Sequence, residues 1–268
     1  MWQIWTTSPL DTFQDLSETC ERRQDLYFYE SDHAHLEHLR SQFAKSGSFL
    51  VKKKNHLPKA VFFDMDATLV AQESIVELAR AANQAERVSE ITEKAMNGEL
   101  DFDQALKERV ALLKGLDQSV LDQIRNSLTV FPGVSEFVSL ARDLKIPCHV
   151  VTGGFEEIAN PLFLPLGFTS VTANRLEVSG GKLTGNLVGS SFNSFGKRDR
   201  LVEVASNMGI ETNTTAAIGD GANDIPMLQK AGFSLAYNPK PLLIPHASGV
   251  NRTGDHRFWL KTLFYQDL

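Results

Sequence analysis

Four short apolar runs constrain the fold of this chain more than any other feature of its sequence. Each run is rich in β-branched or aromatic residues, and longer amphipathic segments separate them. The runs cover residues 60–63, 146–151, 215–218 and 233–236. Strand-length runs that alternate with helical patterns are typical of βαβ units. The sequence therefore predicts an α/β fold, a Rossmann-like parallel sheet flanked by helices.

Every run ends in a polar or glycine-rich turn. The four turns are Asp64-Met65-Asp66, Thr152-Gly153-Gly154, Gly219-Asp220-Gly221 and Tyr237-Asn238-Pro239. The carboxyl ends of parallel strands share one edge of a sheet, and ligands of open parallel sheets bind there. A functional site is therefore expected among these turns.

Three further segments are predicted around this core, which spans residues 58–268. Residues 73–128 carry helical patterns and are interpreted as an inserted helical cap with boundaries at about 72–129. Residues 176–183 have apolar flanks around Gly180-Gly181 and predict a β-hairpin. Residues 1–57 contain possible strands near 2–6, 26–29 and 48–51, which predict a small N-terminal α/β appendage. The sequence indicates no role for that appendage.

Charge and cysteine usage restrict the partners and the location. The 268 residues have a formal net charge of −6 and dispersed basic residues apart from residues 52–54, so no nucleic-acid partner is expected. No apolar run approaches the ~20 residues of a membrane span, and the chain does not start like a signal peptide. Cys20 and Cys148 lie far apart without redox or metal spacing. Reduced thiols and a cytoplasmic location are therefore expected.

Acidic residues at two of the turns indicate a metal. Asp64 and Asp66 are two residues apart, so that one turn can direct both carboxylates into the same pocket, and Asp220 and Asp224 follow the third run. Two acids in one loop are weak evidence, but acids at two parallel-strand ends are expected to converge. Oxygen is the ligand atom that Mg²⁺ prefers, and this ion leaves coordination positions for water and phosphate. The pattern predicts Mg²⁺ as cofactor.

Phosphate chemistry is indicated by residues near the other strand ends. A carboxylate and a phosphate ~4 Å apart repel by about 4 kcal/mol per pair of unit charges at an effective dielectric near 20. Lys197, which is expected immediately before a helix, is a candidate to offset this repulsion, although an isolated lysine is more often a solvated surface residue. Thr152 offers a hydroxyl, and Gly153 and Gly154 let backbone amides approach phosphate closely.

These residues resemble the four motifs of the haloacid dehalogenase-like superfamily. The motifs are Asp64-Met65-Asp66-Ala67-Thr68, Val151-Thr152-Gly153-Gly154, Lys197 and Gly219-Asp220-Gly221-Ala222-Asn223-Asp224. Within the superfamily, residues from about 59 to about 246 are similar to phosphoserine phosphatases, cap included. The chain departs from the usual pattern at Ala67, where Ser or Gly is usual, and at Thr152, where Ser is usual. Both departures leave the reacting groups intact.

The resemblance implies an activity and a role for each residue. The activity is the Mg²⁺-dependent hydrolysis of O-phospho-L-serine to L-serine and phosphate, the last step of serine biosynthesis. It proceeds through a phospho-aspartate on Asp64, with Asp66 as general acid and then base. Asp64, the backbone carbonyl of Asp66, and Asp220 would hold Mg²⁺. Four residues would contact the phosphoryl group: Thr152, Gly153, Lys197 and Asn223. Asp224 would lie behind these residues and would not contact the phosphoryl group itself.

The predicted cap contains a clue that does not depend on the resemblance. On a helical wheel of residues 101–114, Arg109 falls in the middle of an apolar face formed by Phe102, Ala105, Leu106, Val110, Leu112 and Leu113. A buried charge requires a partner. Arg109 therefore binds an anionic ligand, or it extends to solvent or pairs with a cap carboxylate. The resemblance implies the first, with Arg109 on the substrate carboxylate and Glu73 on its amino group.

Two alternative functions stay open from the sequence. One is an enzyme of the same mechanism that acts on another small phosphomonoester, or a phosphotransferase that passes the phosphoryl group to an alcohol. The other is a binding or regulatory protein that has lost turnover. The intact set of Asp64, Asp66, Lys197 and Asp220 argues against the second.

Overall fold

The computed structural model describes residues 1–10, 21–23, 25–31, 35–54, 56–96 and 101–265. Cys20 lies outside these residues. The strands are β1 Trp2–Thr6, β2 Glu21–Arg23, β3 Leu26–Ser31, β4 Phe49–Lys53, β5 Ala60–Phe63, β6 Cys148–Phe155, β7 Ser170–Asn174, β8 Leu176–Ser179, β9 Lys182–Leu187, β10 Thr215–Gly219, β11 Phe233–Tyr237 and β12 Gly249–Asn251. The helices are α1 Leu36–Gln42, α2 Ser74–Ala81, α3 Ala85–Met96, α4 Phe102–Ala111, α5 Ser119–Ser127, α6 Val134–Asp143, α7 Glu156–Phe163, α8 Ser194–Asn207, α9 Ile225–Lys230 and α10 Arg257–Thr262.

Ten of these strands form one sheet in the order β2-β3-β1-β4-β12-β11-β10-β5-β6-β7. Neighbours from β12 to β7 run parallel, and the strands from β2 to β12 pair antiparallel. The four predicted runs correspond to β5, β6, β10 and β11, and the predicted Rossmann-like α/β fold is confirmed. The carboxyl ends of the parallel strands share one edge of the sheet.

The central strand β5 shows why these runs are apolar throughout. Val61 and Phe63 belong to one hydrophobic core cluster, whereas Ala60 and Phe62 belong to another. Successive side chains of a strand point to opposite faces, so helices cover both faces of this strand. A strand that is buried on both sides must be apolar at every position.

Helices α2 to α5 lie between β5 and β6 in the chain, where the sequence predicted the cap. Helix α4 begins in a capping box in which Asp101 accepts the amide of Gln104 at 2.8 Å. On its expected apolar face Ala105, Leu106, Val110 and Leu113 are buried, while Leu112 is partly exposed. The side chain of Phe102 and residues 97–100 lie outside the described part.

The predicted hairpin consists of β8 and β9, which pair antiparallel around Gly180 and Gly181. It also binds the cap through the segment that joins α4 to α5. The amide of Gly115 donates to the Leu183 carbonyl at 2.8 Å, and the amide of Leu183 donates to the Leu116 carbonyl at 2.8 Å. The hairpin therefore attaches the cap to the core by backbone hydrogen bonds.

The three strands predicted in the N-terminal segment correspond to β1, β3 and β4, and the short β2 was not predicted. Strand β4 pairs with β12, so these strands continue the central sheet at one side. The domain division at residues 57 and 58 and the cap limits at 72–129 stay predictions. No helix in the described part of the chain is long and apolar enough to cross a membrane.

Candidate active site

The first acidic turn follows the central strand β5. Asp64 is buried, and its amide donates a hydrogen bond to the carbonyl of Ile218 in β10 at 2.9 Å. Its Oδ1 atom accepts the amide of Met65 at 2.8 Å. The pairing of β5 with β10 fixes the backbone of Asp64, and the local hydrogen bond restrains its carboxylate.

Ala67 gives this turn an unusual backbone. Its φ of 56° lies in the left-handed region, which costs a residue with a Cβ roughly 1–2 kcal/mol. Glycine adopts this conformation without that cost, which accounts for glycine as one usual residue at this position. The amides of Thr68 and Val70 donate to the carbonyl of Met65 at 3.2 and 3.1 Å and close the turn.

Asp66 joins the same turn to the cap. Its two carboxylate oxygens accept hydrogen bonds from the Ser74 amide at 3.2 Å and the Ser74 hydroxyl at 2.9 Å. Ser74 is the first residue of α2, so Asp66 satisfies an amide that the helix leaves free. Burial raises the pKa of Asp66 to about 7 and the charge of Glu73 adds to this, while the Ser74 hydrogen bonds oppose it. Such a group donates and accepts protons near neutral pH.

The second predicted turn, Thr152-Gly153-Gly154, does not end its strand, because β6 continues to Phe155. The pairing of β6 with β7 shifts register between Val151 and Phe155, and this irregular stretch packs closely on the first acidic turn. A Cβ at Gly154 would lie 2.6 Å from the terminal carbon of Met65 and 3.1 Å from the hydroxyl of Ser74. The amide of Gly154 donates to the buried Thr152 hydroxyl oxygen at 3.0 Å. Any larger residue here would force the side chains of Met65 and Ser74 to shift, so glycine lets this segment lie beside the first acidic turn without that rearrangement.

The third turn contains two buried acids. Asp224 packs on the backbone at the end of β10, since a Cβ at Gly219 would lie 2.3 Å from the Asp224 carboxyl carbon. Oδ2 of Asp224 accepts the amides of Asp220 and Gly221, both at 3.1 Å. These hydrogen bonds shape the turn and leave the Asp220 carboxylate at the edge of the sheet.

Lys197 lies within the first turn of α8, so the prediction that it precedes the helix is wrong. The helix begins at Ser194 because the side chain of Asn193 accepts the amides of Phe195 and Gly196 at 3.0 and 3.1 Å and caps it. An asparagine followed by serine, phenylalanine and glycine is a weak signal for a helix start, so the sequence did not predict the cap at Asn193.

The Lys197 side chain is buried between two carboxylates. Its Nζ atom lies 2.8 Å from Oδ1 of Asp64 and 2.7 Å from Oδ1 of Asp224. Burial lowers the pKa of Lys197, but the Asp224 and Asp64 carboxylates outweigh it and leave the pKa above its usual range. Lys197 therefore stays protonated and holds Asp64 in place.

Burial and mutual repulsion disfavour the ionised forms of the buried acids Asp64 and Asp220. Burial raises the pKa of Asp64 well above its usual range, Asp224 raises it further, and Lys197 opposes the shift. Burial also raises the pKa of Asp220 to about 6, with an added contribution from Asp224. The site therefore holds more negative charge than Lys197 alone offsets, and a cation would relieve it.

An oxygen cluster is present where such a cation would bind. One carboxylate oxygen each of Asp64, Asp220 and Asp224 lie within 4.8 Å of one another. The carboxylate of Asp66 does not belong to this cluster of described residues. Its two oxygens accept hydrogen bonds from Ser74 instead. The donors are hard oxygen atoms, which suit Mg²⁺ and similar cations.

These turns and the cap enclose a cavity of about 90 Å³. Eight of the ten predicted site residues line it, and Lys197 and Asp224 lie behind it. The lining residues are Asp64, Asp66, Glu73, Ile75, Leu106, Arg109, Thr152, Gly153, Gly154, Asp220, Asn223 and Lys240. The structure therefore brings the strand-end residues and the two cap residues to one place, while their individual roles stay predictions.

Arg109 reaches the cavity from α4. Its Nε donates to the carbonyl of Ala105 at 3.1 Å, and it makes no ion pair with any residue that the structure describes. Burial lowers the pKa of Arg109, and the charges of Glu73 and Asp66 oppose the shift. The guanidinium is thus a partly buried cation that faces the cavity without a bonded anion.

Two polar residues that line or support the cavity were not predicted from the sequence. Ser74 orients Asp66, and its signal was its place at the start of the cap helix. Lys240 forms an ion pair with Asp220 at 3.1 Å. Its signal was its position three residues after Tyr237, at the carboxyl end of the fourth parallel run.

A Rossmann-like parallel sheet with acids gathered at its carboxyl edge and a helical cap above them is an arrangement typical of hydrolases that bind their substrate between a core and a cap. The chain belongs to the haloacid dehalogenase-like hydrolase family, whose model matches residues 61–229. That match includes all four motifs and the cap.

Individual relatives are similar over the same region. The chain is 40% identical over 185 residues to a phosphoserine phosphatase of Methanocaldococcus jannaschii, covering 69% of this chain and 88% of that protein. It is 43% identical over 185 residues to a phosphoserine phosphatase of Mycobacterium tuberculosis, covering 69% of this chain. This chain spans 45% of the Mycobacterium tuberculosis protein, and about half the length of several such relatives.

A solved structure of a phosphoserine phosphatase with an analogue of its phospho-aspartyl intermediate is also similar. It is 39% identical, with a TM-score of 0.71, over 78% of this chain and 99% of that one. The similarity in sequence and in backbone therefore covers the core and the cap together.

Proposed function

We propose that this protein is a Mg²⁺-dependent phosphoserine phosphatase of the cytoplasm. The observation that carries the proposal is Arg109, a cation without an ion pair among the described residues, in a small cavity that also contains Asp64. A substrate with a carboxylate near its phosphate would supply the missing anion. The relatives of this chain from Methanocaldococcus jannaschii and Mycobacterium tuberculosis are phosphoserine phosphatases, which supports phosphoserine as the substrate.

The residues fit Mg²⁺ as cofactor. Asp64, Asp220 and the backbone carbonyl of Asp66 would hold the ion, and Asp224 would support the turn behind it. A bound Mg²⁺ supplies positive charge that reduces the repulsion between the Asp64 carboxylate and a phosphate dianion. Lys197 contributes a second positive charge at Oδ1 of Asp64.

In the first half of the reaction, a carboxylate oxygen of Asp64 attacks phosphorus and the bond from phosphorus to the seryl oxygen breaks. Asp66 gives its proton to that oxygen, so serine leaves as the alcohol. In the second half, Asp66 takes a proton from water, the water oxygen attacks phosphorus, and Asp64 and phosphate are released. The pKa of Asp66 near 7 suits both proton transfers.

The remaining lining residues bind the two ends of the substrate. The phosphoryl oxygens are proposed to accept hydrogen bonds from Thr152, from the backbone of Gly153 and from Asn223, with Lys197 behind them. At the other end, Arg109 binds the carboxylate and Glu73 binds the ammonium group. The apolar side chains of Ile75 and Leu106 also line the cavity and suit the short carbon chain of serine.

A phosphatase or phosphotransferase for another small phosphomonoester is the second candidate. The accessible Glu73 beside Arg109 argues against simple sugar phosphates, which have neither an amino group nor a carboxylate. Phosphate release measured over a set of small phosphomonoesters, with and without an added alcohol acceptor, distinguishes these functions. Absence of release from every substrate in the presence of Mg²⁺ would overturn the proposal and leave a binding protein.

We expect Asp66→Asn to lower kcat for phosphoserine by about a hundredfold or more, because proton transfer by a positioned side chain contributes roughly this factor. An asparagine keeps one oxygen to accept a hydrogen bond from Ser74, so the start of α2 is retained. Steady-state kinetics with phosphoserine measures the loss. Unchanged kinetics would show that Asp66 transfers no proton to this leaving group.

Removal of metal is expected to stop turnover, and Mg²⁺ is expected to restore it. The reason is the excess of buried negative charge around Asp64, which repels a dianion in the absence of a cation. The measurement is phosphate release after exhaustive chelation and again after titration with Mg²⁺. Full activity in the chelated protein would contradict a metal-dependent mechanism.

A further inference from the structure

Two cations line the catalytic cavity, Arg109 and Lys240. Lys197 does not line it, since its side chain is only 1% exposed and is held between Asp64 and Asp224. A substrate that enters from solvent therefore cannot meet the Lys197 ammonium first. Arg109 is assigned to the carboxylate end of the substrate, which leaves Lys240 without an assigned role.

Lys240 is firmly attached by its backbone and exposed at its end. Its amide donates to the carbonyl of Asp220 at 2.9 Å. Its side chain is 61% exposed, and Nζ lies 3.1 Å from Oδ2 of Asp220. A Cβ on Gly221 would lie 3.5 Å from the same Nζ atom, so the aliphatic chain of Lys240 passes over the third turn. The ammonium thus lies between solvent and the acidic floor of the cavity.

The charges around this ammonium explain why a cation is needed there. Asp64, Asp66, Glu73 and Asp220 all line the cavity. With Asp66 protonated for the first proton transfer, three carboxylates remain, and a bound Mg²⁺ with two positive charges would offset their repulsion of a phosphate dianion only in part. A positive charge at the entrance of a cleft reduces this barrier and raises the local concentration of an anionic substrate.

We propose that Lys240 is a substrate-binding residue, the cation at the cavity entrance that attracts the phosphoryl dianion and contacts one of its outer oxygens. This inference rests on the proposed function, because it takes the substrate to be a phosphomonoester. The ammonium of Lys240 exchanges part of its contact with Asp220 for the incoming anion.

The test is Lys240→Met, which keeps the aliphatic chain and removes the charge. We expect KM for phosphoserine to rise about tenfold, since charge steering changes association by roughly 10-fold or more, while kcat changes by less than about threefold. The dependence of KM on ionic strength weakens in this variant, because screening acts on the charge that was removed. Lys240→Arg retains the charge and is expected to keep most of the wild-type KM.

Lys230→Met is the matched control. Lys230 lies at the end of α9, is exposed and does not line the cavity, so its loss changes the net charge equally without touching the site. Its KM and its salt dependence are expected to match the wild type. An equal rise of KM in both methionine variants would mean that only the net charge matters, and it would overturn a specific role for Lys240.

A positioning role for Lys240 on Asp220 predicts a different result. In that case Lys240→Met raises the Mg²⁺ concentration needed for half-maximal activity and leaves KM at saturating Mg²⁺ unchanged, which would overturn the proposal. Calorimetric titration of inorganic phosphate into the Mg²⁺-loaded protein gives a readout without turnover. Weaker phosphate binding in Lys240→Met supports the inference even if phosphoserine proves not to be the substrate, and equal binding refutes it.

Discussion

Asp64→Asn is expected to lower turnover of phosphoserine by at least about a thousandfold, because an amide is a poor nucleophile and no phospho-aspartate forms. The substitution keeps the shape of the side chain and the oxygen that accepts the Met65 amide. Phosphate release and mass spectrometry of the protein after rapid quenching measure the two effects together. The wild type is expected to gain the mass of one phosphoryl group, and the variant is expected to gain none.

Stability separates loss of the nucleophile from loss of the fold. Asp64 is buried with Asp224 and Asp220 nearby, so removing its charge relieves repulsion, while Lys197 keeps its contact with Asp224. The melting temperature of Asp64→Asn is therefore expected to equal or exceed that of the wild type in metal-free buffer. Asp143→Asn, at an exposed position of α6, is the matched control and is expected to change neither turnover nor melting temperature. Activity of Asp64→Asn within tenfold of wild type would reject the proposed nucleophile.

The strand-end residues were predictable because two constraints act on them at once. A strand buried on both faces must be apolar throughout, so the abrupt change from Phe63 to Asp64 marks the end of β5. The same change from Gly219 to Asp220 marks the end of β10. Parallel strands then bring both ends to one edge without any further information, and the acid cluster follows from the topology.

Contacts that depend on loop geometry were not predictable in this way. The hydrogen bonds from Ser74 to Asp66 require the entry angle of α2, which no periodic pattern encodes. Lys240 faces the cavity only because the segment after β11 folds back so that its amide bonds to Asp220. The continuation of the sheet through β4 and β12 likewise depends on an edge pairing between distant segments. The sequence has no local signal for such long-range contacts.

The cap could be predicted from the sequence only in part. The wheel placed Arg109 on the buried side of α4, and the helix has Lys107 and Glu108 exposed, as its period requires. The helical wheel could not identify the partner of Arg109, because that partner depends on the orientation of α4 relative to the sheet. In the structure, the hairpin β8–β9 binds the segment after α4 and so fixes the cap with Arg109 facing the acidic turns.

Arg109→Ala is expected to lower kcat/KM for phosphoserine by about 2–5 kcal/mol, the usual loss when one partner of a desolvated charge pair is removed. This corresponds to about 30-fold to several thousandfold, since every 1.4 kcal/mol is about tenfold. Phosphoethanolamine, which lacks the carboxylate, is expected to lose little with the same variant. The measurement is kcat/KM for both substrates with wild type and variant, so that the ratio of the two losses isolates the carboxylate contact.

The ratio of the losses for the two substrates is informative because the Arg109 side chain makes few contacts that stabilise the fold. Apart from the hydrogen bond of its Nε to the carbonyl of Ala105, it has no bonded partner among the described residues. The fold of the cap is therefore expected to survive its removal. Lys107→Ala, on the exposed side of the same helix, is the matched control and is expected to leave both substrates unaffected. A damaged cap would impair both substrates alike, so equal losses for phosphoserine and phosphoethanolamine would remove serine from the proposal and leave a phosphatase whose substrate lacks a recognised carboxylate.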